Sequence, residues 1–148
     1  VSHTALVIDS GTFSTANIVE ALSKVEKHTI VSQYEKETGI EITCYRPLDL
    51  DDTEREIIVK KAISYVGCTY GYAKILTNFL DFLLGGLYVF RRITTPEKDP
   101  MCYEIVSIAY SEDNLYFGTE PGAALPEEIL LYCEAHPKKY QKIFTYKK

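Results

Sequence analysis

At 148 residues the chain is the size of one domain, long enough to bury a core without disulfides or a structural metal. Apolar residues at 46% and charged residues at 25% match ordinary globular domains and exclude a disordered or fibrous chain. A net charge of −5 with no basic block excludes a phosphate-binding surface, so nucleic acid is not an expected partner.

In chain order, residues 3–8 are β-branched and aliphatic and stop at the turn signal Asp9-Ser10-Gly11, which predicts a strand. Residues 16–22 resume a strand-like run, so the two form a hairpin with a longish loop, and Glu20 lies on the returning strand. Between Gly39 and Pro47, Ile40, Ile42 and Cys44 alternate with Glu41, Thr43 and Tyr45, the period of a third strand over residues 40–45. Thr53 and Glu56 have the spacing of a capping box and predict a helix that ends at Gly67. Its apolar positions Ile57, Ile58, Ala62, Tyr65 and Val66 recur at helical spacing and face the sheet. Further helices are predicted over residues 73–84, 101–110 and 127–135, the last with Pro126 in its first turn, and residues 91–99 read as a loop. The terminal Lys138, Lys139, Lys142, Lys147 and Lys148 read as a solvated tail and helix end.

The apolar stretch 75–90 is shorter than a membrane span and is interrupted by Asn78, Asp81, Gly85 and Gly86, so no transmembrane segment is expected. No signal-peptide pattern opens the chain, and Val1 in place of Met reads as an excised or processed fragment. Localisation and oligomeric state are not legible from these residues.

Cysteines at 44, 68, 102 and 133 are separated by 24, 34 and 31 residues, with no close pair to hold zinc and no disulfide framework. Free thiols are therefore expected, with neither metal nor cofactor. Cys102 follows Asp99-Pro100 and heads an apolar-periodic segment, which puts it at a helix N-terminus. There the helix dipole and free N–H groups favour thiolate and can stabilise an oxyanion. The alternative is a small buried hydrophobe, the commoner role of a free cysteine.

A nucleophilic thiol needs a base, and the chain offers His3, His28 and His136. His28, among Lys24, Glu26 and Lys27, reads as exposed, and His136 before Pro137 reads as a helix-end residue facing the last carbonyls. His3 lies in an apolar strand and needs a polar partner on its own face. If the hairpin is symmetric about Gly11-Thr12, paired positions sum to 23 and His3 falls opposite Glu20. That carboxylate would fix the imidazole tautomer that leaves the other nitrogen free for the thiol proton. A strand-end histidine beside a surface glutamate is the simpler alternative.

Ser2-His3-Thr4-Ala5-Leu6-Val7-Ile8, Ile18-Val19-Glu20-Ala21, Tyr45-Arg46-Pro47, Gly67 with Tyr70, and Met101-Cys102-Tyr103-Glu104-Ile105-Val106 resemble, in order, the motifs of the circularly permuted NlpC-like (YiiX/YebB-like) papain-fold hydrolases. The resemblance spans nearly the whole chain. It implies an α+β, papain-like permuted fold with a central antiparallel sheet and the nucleophile at a helix N-terminus, formed by one domain over residues 1–148. The family's usual strand and helix ahead of the histidine strand would lie upstream of Val1.

The same resemblance implies a catalytic Cys102, His3 and Glu20, with Tyr70 beside the thiol and Tyr103 at the substrate cleft. Two positions depart from the family pattern: Tyr103 stands where serine is usual, and Gly71 where an acidic residue often follows the tyrosine. The implied activity is cleavage of a peptide or cell-wall-like amide through a thioester. An acyltransferase or lipid hydrolase acting on an acyl-bearing substrate with the same Cys-His pair is the alternative, and a catalytically silent binding module is a third.

Overall fold

A computed structural model describes residues 3–71, 99–120 and 122–148. Its strands are β1 (Leu6–Val7), β2 (Asn17–Ala21), β3 (Val25–Thr29), β4 (Glu41–Pro47) and β5 (Tyr140–Lys147). The helices among these residues are α1 (Ile30–Tyr34), α2 (Asp52–Ser64), α3 (Cys102–Ser111) and α4 (Pro126–Ala135). The fold is mixed α+β. The expected helix over 73–84 and nearly all of the expected loop over 91–99 lie outside the described residues.

Among the described residues the strands form two antiparallel sheets, β1-β2-β3 and β4-β5, rather than the single central one expected. The expected third strand is present as β4, but its partner is the C-terminal β5, with a bulge between Cys44 and Tyr45. The lysine-rich terminus is thus a strand and not a solvated tail. Tyr140, Phe144 and Tyr146 supply β-prone aromatic side chains, and the lysines project from the strand, Lys147 pairing with Glu41 at 3.0 Å.

The β1-β2 hairpin pairs Leu6 with Val19 and Val7 with Ile18, so paired positions sum to 25 rather than 23. The loop explains the shift. Thr15 and Ala16 donate their N–H groups to the Thr12 carbonyl at 3.0 and 2.7 Å, which moves the turn centre past Thr12. Asp9 ties the loop together by accepting from Gly11 N–H at 3.1 Å and Asn17 Nδ2 at 2.6 Å. Gly11 is required there, because a Cβ would stand 2.6 Å from Ala16 Cα. A shift of two residues preserves side-chain parity, so His3 keeps the face of Glu20 but stands diagonal to it rather than opposite.

Neither β3 nor α1 is anticipated by the sequence reading. A tight turn at Ser23 sends the chain back as β3, pairing Ile18 with His28 and Glu20 with Glu26. Thr29 then caps α1, its Oγ1 accepting from Ser32 N–H at 3.2 Å.

Helix α2 begins two residues early relative to the Thr53 box. Asp51 is the N-cap, accepting from Glu54 N–H at 2.9 Å while Glu54 accepts from Asp51 N–H at 2.6 Å. Aspartate at least matches threonine as a cap, and choosing Asp51 also places Asp52 and Glu54 in the first turn against the helix dipole. Ile58, Ala62 and Tyr65 are buried as expected, whereas Ile57 and Val66 are exposed. Helix α4 starts with Pro126 at a first-turn position, as its sequence predicts.

Strand parity divides the core. Leu6, Val19, Ala21 and Val25 pack against Ile58 and Ala62 of α2 and Ile105, Val106 and Ala109 of α3. The opposite face carries Ile18 with Ala16 and Ile30, packed against Val7, Ile42 and Phe144 toward the second sheet. Burying Val19 and Ile105 completely is worth roughly 2 kcal/mol each, which holds β2 and α3 in fixed relation. Glu20, on the Ile18 face, is fully buried as well.

Candidate functional site

Cys102 is the first residue of α3. Buried Pro100 leads into the helix, Thr69 Oγ1 donates to the Asp99 carboxylate, and the Glu104 carboxylate accepts from Met101 N–H at 2.8 Å. The cap thus occupies Glu104 with the backbone at the point where the helix dipole meets the Cys102 sulfur. Burial pushes the thiol up. The hydrogen bond and charge of His3, aided by the backbone N–H groups of Thr4 and Tyr103, outweigh it, and the thiol lies below its ordinary value.

For His3 burial works against the charged ring, but hydrogen bonds and charge from Cys102 and Glu20 raise its pKa to about 9. His3 Nε2 stands 2.6 Å from Glu20 Oε2. Since an ionised carboxylate only accepts, that nitrogen carries a proton, and Nδ1 is the one left for the thiol. The raised imidazole and the lowered thiol move toward each other, which favours a thiolate–imidazolium pair over two neutral groups.

Glu20 has further donors: His28 Nε2 on Oε1 and the Tyr34 hydroxyl on Oε2. Burial pushes the carboxyl up, and the hydrogen bonds from His3, Tyr34 and His28 bring it below the usual carboxylate range. The Tyr34 hydroxyl is shifted in the opposite direction, up, by burial and by its bond to Glu20.

The residues expected to act together, Cys102, His3 and Glu20, are thus brought together: His3 bonds to Glu20, and its interaction with Cys102 shifts both groups. Tyr103 is buried, its hydroxyl donates to Met101 Sδ at 3.2 Å, and its backbone N–H is among the groups that lower the Cys102 thiol. Tyr70 is half-buried against the core, its N–H donating to the Ser23 carbonyl at 3.3 Å. His28 is not the exposed residue expected, since its side chain is only 17% exposed. A signal for it existed: the tight turn at Ser23 makes paired positions sum to 46, which places His28 diagonal to Glu20 on the same face. His136 does cap its helix, Nδ1 donating to the Tyr132 carbonyl at 2.8 Å.

A cavity of about 720 Å³ runs from His3 between β1, α1 and the second sheet, with Ala5, Val7, Ile30, Ile42 and Phe144 on its walls. Among the described residues no group of His, Cys, Asp or Glu is disposed to hold a metal ion, and no helix is long and apolar enough to cross a membrane.

The other cysteines are free thiols. Burial pushes Cys44 up and raises Cys133 to about 12, so neither is a ready thiolate. Limited treatment with iodoacetamide at pH 7, followed by peptide mass spectrometry, is expected to label Cys102 ahead of Cys44, Cys68 and Cys133. Preferential labelling of half-buried Cys68 would move the reactive centre elsewhere.

Comparison of the chain with protein-family models, with curated proteins and with solved structures finds no match.

Proposed function

We propose that the chain is a cysteine hydrolase that cleaves an amide bond in a peptide or cell-wall-like substrate. The observation that carries the proposal is the convergence of Cys102, at the head of α3, with His3, which lowers the thiol and is itself hydrogen-bonded to buried Glu20. The ordered motifs that resemble permuted papain-fold hydrolases support the same reading.

In this mechanism the Cys102 thiolate attacks the amide carbonyl carbon, forming the C–S bond and an oxyanion. N–H groups of the first turn of α3, which point out of the helix start, stabilise that charge. Imidazolium His3 gives its proton to the leaving nitrogen as the C–N bond breaks, leaving a thioester. His3, now neutral, takes a proton from water as the water oxygen attacks the thioester. Collapse releases the carboxylic acid and returns Cys102 to its paired state. Glu20 holds the ring orientation and stabilises its positive charge throughout.

A second reading, acyl transfer or lipid hydrolysis by the same pair, is favoured by the apolar walls of the cavity beside His3. Incubating the protein with fluorogenic peptide amides, with muropeptides and with medium-chain nitrophenyl esters, then acid-quenching for mass spectrometry, separates the two. The amide reading expects amide turnover and an acyl mass on Cys102. Turnover confined to esters supports the second. No acyl mass from any substrate, together with a Cys102 inert to iodoacetamide at pH 7, would leave a binding module.

A further inference from the structure

Glu20 receives more donors than are needed to orient one imidazole. Oε2 accepts from His3 Nε2 at 2.6 Å and also from the Tyr34 hydroxyl, and Oε1 accepts from His28 Nε2. The donors come from three separate places: the segment before β1, strand β3 and helix α1. They converge on a carboxylate with no solvent exposure, on the middle strand of its sheet. The residues facing this group that can carry charge are His3 from the segment before β1, Glu26 and His28 from β3, Tyr34 and Glu37 from α1 and the turn after it, and Cys102 from α3.

A carboxylate bonded to His3 alone is free to turn about its last side-chain torsion and exchange its oxygens. His28 removes that freedom by holding Oε1, and Tyr34 adds a second donor to the oxygen that faces His3. The plane of the carboxylate is then set, and with it the His3 ring. We propose that His28 and Tyr34 are positioning residues of the thiol site, fixing the Glu20 carboxylate so that His3 presents Nδ1 to Cys102. They act through Glu20 and take no part in bond making. The proposal rests on the cysteine-hydrolase reading above.

The test is the pH dependence of iodoacetamide alkylation at Cys102, measured by mass spectrometry on the full chain, with circular dichroism to establish folding. Wild type, Tyr34→Phe, His28→Leu and His28→Gln are compared. Tyr34→Phe and His28→Leu are expected to move the alkylation midpoint to higher pH by about half a unit or more, because a carboxylate free to turn no longer holds the His3 ring in line, and a misaligned Glu20–His3 bond supports the imidazolium, and hence the thiolate, less well. His28→Gln keeps an N–H donor at similar reach and is expected to stay close to wild type. Loss of packing alone lowers the melting temperature without moving the profile of the folded protein.

A wild-type midpoint below the ordinary thiol range, with Tyr34→Phe and His28→Leu both unshifted, would overturn this inference and leave the hydrolase reading standing. A wild-type Cys102 that titrates as an ordinary thiol would overturn the hydrolase reading, and the positioning role with it. If His28→Leu fails to fold, Tyr34→Phe decides the matter, since it removes a single hydroxyl and keeps the ring.

Discussion

Cys102→Ala and His3→Ala are each expected to reduce amide turnover by roughly 10⁴-fold or more, and the double variant is expected to be little worse than either. The reason lies in the shared proton. In the proposed mechanism Cys102 attacks as a strong nucleophile because His3 holds its proton, and His3 has a proton for the leaving amine because Cys102 supplied it, in keeping with the lowered thiol and raised imidazole. Removing one partner therefore disables the other, and the two losses do not add. Steady-state rates for the three variants on a single peptide amide decide the point. Multiplying losses would show that the two residues act independently, whatever their separation.

Glu20 is expected to have the next largest effect, and pH separates its electrostatic from its structural part. With His3 raised to about 9, its protonated form stabilises the fold fully below its ordinary value of 6.5, and that contribution is lost as pH rises through about 9. The lowered Cys102 works on the other side: its thiolate is present above its depressed pKa and lost as pH falls through it. Turnover is thus expected to be bell-shaped, with an acid limb from Cys102 and an alkaline limb near 9 from His3.

Glu20→Gln removes the charge that favours imidazolium, so the alkaline limb should move down and the acid limb up, narrowing the bell from both sides. Activity at the optimum is expected to fall roughly 10²-fold yet stay measurable, because the amide carbonyl can still accept from His3. Glu20→Leu also leaves His3, His28 and Tyr34 without their acceptor, and is expected to lower the unfolding free energy by about 3 kcal/mol in urea titration. A Glu20→Gln bell of unchanged width and height would show that the carboxylate neither orients nor stabilises His3.

Local chemistry made part of this legible without coordinates. The helix start at Cys102, the helix cap at His136, Pro126 in the first turn of α4 and the β1-β2 hairpin all rest on interactions within a few residues of sequence, where propensity and capping decide. The His3–Glu20 relation was legible for a different reason. An error of two in the register left both side chains on one face, so a diagonal contact survived where a direct one was expected.

The sequence by itself determined which residues meet at the candidate site and the elements on which they sit: a thiol at a helix head, and an imidazole and a carboxylate on one face of a hairpin. Tertiary structure alone decided that β4 leaves the first sheet to pair with β5, since strand partnership across about 100 residues depends on which surfaces are left to bury and not on the strand's own alternation. It alone decided that His28 turns inward, because a histidine among charged neighbours reads as exposed until the return of β3 shows its parity with Glu20. It alone added Tyr34, which reaches the carboxylate from α1, a five-residue helix that forms because it is capped by Thr29 and anchored by buried Ile30 rather than from any strong propensity of its own.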